Sequence, residues 1–262
     1  EHASNGHTTL VKQQLITQSC ELLGVETNQV EEQIAVSCEE NHIIETIVNN
    51  ETLCSVTSLY EAEQSIADKL VRMCRHVSHL PSYEKLNHAV AELRKSLGYV
   101  LSEEQQQALR TILTNKICVL TGGPGVGKTT LVQSIVYVLQ KSHTRFILCA
   151  PTGRAARRLK ESTGHEAKTV HRALGIDPIS RQFQHNKQNP INTEYCIIDE
   201  SSMLDVYITK HILSALPDHC GILLVGDIDQ LPSVGAGNIL SDIIGLKRVP
   251  VVRLTQVFRQ AQ

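Results

Sequence analysis

The sequence predicts an α/β fold: a parallel sheet that carries a phosphate-binding loop, preceded by a mainly helical amino-terminal part. Three observations support this. Residues 117–130, ICVLTGGPGVGKTT, run from an apolar strand through a glycine-rich turn into the start of a helix. Four further apolar runs, at 145–151, 194–200, 221–227 and 249–254, alternate with helical stretches, and strands interleaved with helices form parallel sheets. The chain before residue 98 reads differently, as helices around one hairpin. The expected domains are therefore 1–98 and 99–262.

Apolar residues recur at helical spacing from 9 to 23, and 27–38, TNQVEEQIAVSC, opens on a capping residue and continues as a second helix. HIIETIV and ETLCSVT alternate on either side of Asn49-Asn50, a turn dipeptide, which predicts a β-hairpin. Helix, helix and hairpin together resemble a winged-helix module. Winged modules often bind DNA, yet residues 1–60 hold nine acids against Lys12 alone, a charge of −8 that repels phosphate. A scaffolding role, or contact with a protein partner, is expected for this acidic part. Residues 59–80 and 83–97, separated by Pro81-Ser82, have helical periodicity and should join the two domains. Leu101-Ser102-Glu103-Glu104 should cap the helix that leads into the first strand of the sheet.

At 262 residues and 41% hydrophobic content, the chain can furnish cores for two domains. No apolar run is long enough to span a bilayer, and the opening EHASNGH has neither a basic start nor an apolar signal core. No membrane partner and a cytoplasmic location are expected. Eight cysteines without a C-x-x-C pair fit structural thiols in a reducing compartment. No histidine pair falls on a metal-ligand spacing, so no structural metal is expected. The missing initiator Met suggests an excised piece, and 3% aromatic content leaves base stacking unreadable.

The chemistry centres on the loop, where Gly122, Gly127, Lys128 and Thr129 fill G-x-x-x-x-G-K-[ST]. Several backbone N–H groups can be aimed at one phosphate only where positive φ is allowed and no Cβ intervenes. Gly122, Gly123, Pro124, Gly125, Val126, Gly127, Lys128, Thr129 and Thr130 are accordingly expected to hold a nucleotide. Lys128 can reach the β- and γ-phosphates, Thr129 can place its hydroxyl on Mg²⁺, and the following helix points its positive end at the anion. ATP and Mg²⁺ are the expected cofactors. Asp199 and Glu200 follow an apolar strand, one carboxylate for Mg²⁺ and one to orient or deprotonate the attacking water. Asp227 and Gln230 end the next strand, in place to sense the γ-phosphate. Charge adds a second signal. With the whole chain at −2, the part beyond residue 60 carries +6, and 141–172 alone holds eight basic residues against Glu161 and Glu166. A polyanion should bind there.

LSEEQQQAL, TGGPGVGKTT, APTGRAARRL, KTVHRALG, IIDESSM, LVGDIDQLPSVGAGNIL and LTQVFRQ, in order over 101–260, resemble a superfamily 1 helicase of the RecD/TraA type, the group that includes the exonuclease V alpha subunit. NGHTTL and LYEAEQSIA resemble the region before the motor in stand-alone members. The resemblance implies a RecA-like motor domain and ATP-dependent helicase activity, with 5′-to-3′ translocation on single-stranded DNA. It implies that Gln105 contacts adenine, Lys128 the phosphates, Thr129 and Asp199 the Mg²⁺ ion, and Arg259 the γ-phosphate. Glu200 matches the catalytic base and Gln230 the sensor that links nucleotide to DNA. Thr152, Gly153, Arg154 and the loop from Ser233 to Asn238 should lie against single-stranded DNA. Residues 179–192 should form a small hairpin, either the family's duplex-parting pin or an ordinary surface turn. A second RecA-like domain is missing from this chain, so it should bind Mg²⁺-ATP and hydrolyse it slowly. A phosphate-loop kinase and a non-catalytic nucleotide-gated adaptor are the alternatives. Gln230 and the arginine-rich strand end argue against the first, the Asp-Glu pair against the second.

Overall fold

A computed structural model of the chain describes residues 6–75, 92–93, 100–177, 182–230 and 233–255. The boundary expected near Gly98 lies outside them, as does the helix expected over 83–97 apart from 92 and 93.

The amino-terminal part is β1 (Thr9–Val11), α1 (Lys12–Leu23), α2 (Thr27–Glu39), β2 (Ile43–Val48) and β3 (Glu51–Val56). The helix expected from residue 9 starts at Lys12, because Thr9, Leu10 and Val11 pair antiparallel with β3 and form a third strand. Three residues are too few for periodicity to decide between strand and helix. A Gly24 at φ 67 ends α1, and α2 opens on a capping box between Glu26 and Gln29, one residue before the expected cap at Thr27. The hairpin forms as expected: Asn49 and Asn50 both take positive φ, 52 and 66, the geometry of a two-residue turn between twisted strands. Ile16, Val30 and Ile34 make a small core beneath.

From the hairpin the chain enters α3 (Thr57–Arg75), whose buried residues Leu59, Ala62, Ile66, Lys69 and Met73 recur at helical spacing. This stripe packs into one core with the parallel sheet and with α8 (Val206–Ala215), so α3 is built into the sheet domain's packing.

The sheet has six parallel strands in the order β6-β5-β7-β8-β4-β9. They are β4 (Ile117–Thr121), β5 (Phe146–Ala150), β6 (Ala167–Thr169), β7 (Tyr195–Ile198), β8 (Gly221–Gly226) and β9 (Val251–Arg253). Five match the expected runs; the sixth, β6, is the edge strand AKT, too short and too polar to stand out. Between them run α4 (Glu103–Thr114), α5 (Lys128–Lys141), α6 (Gly153–Thr163), α7 (Val170–Leu174), α8 and α9 (Ile239–Gly245). Alternation sorts each strand between two cores. In β4, Ile117 and Val119 join α3 and α8, while Cys118 and Leu120 join Leu109 of α4 and Leu131, Ile135 and Leu139 of α5. Both faces are covered, the usual condition for a parallel sheet. No helix among the described residues is long and apolar enough to cross a membrane.

Buried on α3, the Lys69 ammonium donates to the carbonyl of Leu216 and to Asp218 Oδ1, just beyond α8. Lys69→Met keeps the apolar stem but leaves that buried carbonyl without its donor. It should cost about 1–3 kcal/mol in urea unfolding. An unchanged midpoint would mean that the buried ammonium contributes nothing net.

Candidate active site

The loop, the acids after β7 and the turn after β8 emerge together at the carboxyl edge of the sheet, where open α/β sheets form their ligand crevice. There a cleft of about 750 Å³ is lined by the loop, Gln105, Asp199, Glu200 and Gln230. Val100, Leu159, Val225 and Gly226 complete it, apolar walls that no motif announces.

The loop's shape follows from its neighbours. Gly122 has φ 150, and a Cβ there would lie 2.6 Å from the Leu254 carbonyl oxygen and 2.9 Å from Val126 Cγ2. Gly125 and Gly127 take φ 77 and 89, in the left-handed region that glycine enters without strain. Val126 is buried and pins the loop to the core. Gly127 begins α5 with no side-chain cap, so the helix's first N–H groups face the cleft as an anion cradle. Lys128 folds back and donates to the carbonyls of Gly122 and Gly123, the second at 2.8 Å. Gly123, Pro124, Thr129 and Thr130 also line the cleft. A cradle that a Cβ would fill, beside a lysine held only by loop carbonyls, fits a nucleotide's phosphates.

Asp199 continues β7, its N–H donating to the Cys149 carbonyl at 2.9 Å. Burial pushes its carboxyl above the ordinary value of 3.8; the N–H donated by Glu200 lowers it, the Glu200 charge raises it, and Lys128 lowers it again. A carboxylate disfavoured by burial gains from a cation, and with Thr129 on the opposite wall the pair fits Mg²⁺. Glu200 sits at φ 54, ψ 40, a left-handed conformation that costs a non-glycine residue on the order of 1 kcal/mol. The turn Ser201–Met203 holds it there, with Ser201 Oγ donating to the Ile198 carbonyl at 2.7 Å.

Two residues serve differently from the sequence reading. Asp227, 4% exposed, accepts from the Asp229 N–H at 3.1 Å and from Gln230 Nε2 at 3.4 Å, so it shapes the turn and positions Gln230. Gln105 lines the cleft, yet its Oε1 accepts the Ser102 N–H at 3.1 Å in the expected capping box. The amide nitrogen is then the end offered to a base. Beside it Glu104 Oε1 accepts from the N–H and hydroxyl of Thr255, at 3.3 and 3.4 Å. Arg259 lies outside the described residues.

On the expected DNA side, Thr152 caps α6 by accepting the Ala155 N–H at 3.2 Å, with Gly153 and Arg154 exposed beside it. Asn238 is exposed before α9. Ser233 departs from expectation: it is 7% exposed and its hydroxyl lies 2.8 Å from the carbonyls of both Gly235 and Gly237, so it shapes the loop from inside. The basic segment also divides. Lys141 ends α5 and Arg145 precedes β5, where it pairs with Glu194 at 3.2 Å; both lie at the amino edge, away from Arg154. Five residues of β5 separate the two ends.

A family model described as an AAA domain matches residues 105–236. The chain is 44% identical over 161 residues to an ATP-dependent RecD2 DNA helicase from Deinococcus radiodurans, covering 62% of this chain and 22% of that one. It is 37% identical over 166 residues to the RecBCD enzyme subunit RecD of Mycolicibacterium smegmatis, 54% of this chain and 30% of the relative. The Haemophilus influenzae RecBCD enzyme subunit RecD matches at 30% over 196 residues, 63% and 30% of the two chains. The chain thus spans less than a third of the length of these curated relatives, and it is similar to them over the part that contains the loop.

Neighbouring glycines should respond differently to the same change. Gly122→Ala, with its Cβ against the Leu254 carbonyl, should destabilise the chain by about 1–3 kcal/mol. Gly123→Ala meets nothing within 4 Å and should stay within about 0.5 kcal/mol. Equal urea midpoints for the two variants would refute this account of the loop.

Proposed function

Because the chain belongs to the AAA domain family, we propose that it is the nucleotide-binding motor portion of an ATP-dependent, RecD-type DNA helicase. The observation that carries the reading is the convergence on one cleft of the uncapped α5 start, Lys128, the Asp199-Glu200 pair and Gln230. No single one of these would specify phosphoryl transfer; together they supply an anion cradle, a metal carboxylate, a base and a sensor.

On this reading Lys128 exchanges the loop carbonyls for phosphate oxygens, and Thr129 and Asp199 hold the Mg²⁺ ion, which would neutralise developing phosphate charge. Glu200 takes the proton of the attacking water, its backbone turned by the strained φ so that the carboxylate leaves the strand and faces the cleft. Asp227 holds Gln230 within reach of the same cleft, and Arg259 completes the charge around the γ-phosphate. Single-stranded DNA runs over the amino end of α6 at Thr152, Gly153 and Arg154 and past Asn238, in the 5′-to-3′ sense implied by the RecD/TraA resemblance. The amino-terminal part serves a protein contact: it is acidic, and Leu22 and Leu23 of α1 are 71% and 67% exposed.

Titration calorimetry with Mg²⁺-ATP should show binding that Lys128→Ala abolishes. Glu200→Gln should bind as before and hydrolyse about 10²–10⁴-fold more slowly. Gln105→Ala should erase any preference for ATP over GTP. Arg154→Ala should weaken binding to single-stranded DNA and reduce its salt slope by about 1. Undiminished ATP binding in Lys128→Ala would remove the foundation of the assignment.

A further inference from the structure

A second cleft, of about 370 Å³, opens on the same edge of the sheet and shares no lining residue with the nucleotide cleft. The chain has only three phenylalanines, so nothing along the sequence signals an aromatic site. The fold gathers one nonetheless. Phe183 lies with its ring centroid 4.7 Å from that of His211, inclined at 60°, and 6.0 Å from that of His171, inclined at 53°. Tyr207 and Met203 stand on the facing wall, each 41% exposed, and Thr152, the cap of α6, forms the rim. The Tyr207 hydroxyl is fixed 2.8 Å from Ser58 Oγ, which holds that ring against α3.

The floor is closed by the loop after β8. A Cβ on Gly235 would come within 2.5 Å of Asp205 Oδ2, so that loop sits directly on Asp205. Asp205 is the one acid in the wall, and its Oδ1 already accepts the Ile208 N–H at 2.8 Å as the cap of α8. Val234, 91% exposed, flanks the opening. Around the rim the fixed charge is positive: Arg154 is exposed in the first turn of α6 and Arg172 is exposed beside His171.

We propose that this cleft takes one unstacked base of the DNA strand, in contact with Phe183, His211 and Tyr207, while the flanking phosphates lie by Arg154 at the amino end of α6. Three observations select that occupant. Rings on two walls match a flat aromatic ligand, and stacking accepts any base because every base has a π-face. The volume falls within the range of small-ligand pockets. Thr152 belongs both to this rim and to the proposed strand path, so a base turned inward from that path enters the cleft while its backbone stays among the cationic groups. The inference rests on the reading of the chain as a single-strand-binding motor, and it adds a base contact to what would otherwise be backbone binding.

The test is an abasic scan on the full 262-residue chain. A fluorescent oligonucleotide of about 8 nucleotides, short enough to limit sliding, carries a single abasic site moved through each position in turn. At one position the loss of the base should weaken binding roughly 5- to 150-fold, with little effect elsewhere. Phe183→Leu, which keeps an apolar anchor, and His211→Ala should each flatten that position dependence. Arg154→Ala should weaken intact and abasic strands alike. An intact strand that binds with no sensitive position overturns the cleft's role and leaves the motor reading standing, as does sensitivity that survives in Phe183→Leu. Failure of the intact strand to bind at all overturns the single-strand reading, and the base contact with it. The abasic scan on the unsubstituted chain decides the matter even if a variant fails to fold.

Discussion

Strand β4 has no exposed residue and no free edge, and the site depends on that confinement. All five of its residues are buried, β8 lies on one side and β9 on the other. The chain leaving its carboxyl end therefore has one exit, over the end of β9, where the Leu254 N–H donates to the Thr121 carbonyl at 3.0 Å. That bond brings the Leu254 carbonyl so close to residue 122 that only glycine fits. The phosphate loop is thus shaped from behind by a strand more than 120 residues later in the chain, and the positive φ values at Gly125 and Gly127 complete a turn that β9 has already begun.

The same edge stores several unfavourable features that a bound nucleotide would relieve. Asp199 is a carboxyl raised by burial, Glu200 a non-glycine residue in left-handed conformation, and Lys128 an ammonium satisfied only by loop carbonyls. Each departs from what local preference would choose. Sites built to bind charge commonly hold such departures, and the surrounding fold maintains them. Here the two sheet cores do so, with Val126 fixed in one of them and Ile198, just before the acids, in the other.

Much of this was legible in the sequence because the signals were local. The five longer strands are apolar runs, the Ser102 cap and its Gln105 partner stand three residues apart, and Asn49-Asn50 forms the turn its residue types favour. What escaped depended on distant partners. Strands β1 and β6, three residues each, exist because β3 and β5 offer them edges to pair with. Ser233 lies in a polar, glycine-containing loop, yet two carbonyls from its own loop claim its hydroxyl. Counting charge along the chain merged Arg145 with Arg154, although five strand residues at roughly 3.3 Å each set them on opposite edges of the sheet. The hairpin expected over 179–192 is displaced for a similar reason. Its pairing falls between 175–177 and 182–184, with Phe183 anchored on His211, a contact to a helix some 30 residues away.

The acidic amino-terminal part is tied to the working edge of the sheet, and this gives its charge a consequence. Ser58 and Lys69, 11 residues apart on α3, meet Tyr207 and Asp218, also 11 apart, so α3 lies alongside α8 in the same direction for about 16 Å. The start of α3 is thereby held at the carboxyl edge, and the hairpin that feeds it must be there too. A second tie is the Gly237 N–H, which donates to the Gly6 carbonyl at 3.0 Å on the loop that flanks the proposed strand path. A strand crossing this edge would have Arg154 and the amino end of α6 on one side and a part carrying −8 through residue 60 on the other. Repulsion from the acidic side and attraction toward α6 act in the same direction, and both weaken beyond a Debye length of about 8 Å at physiological salt. The amino-terminal part therefore narrows the route that phosphates can take, even though it offers them no binding surface of its own.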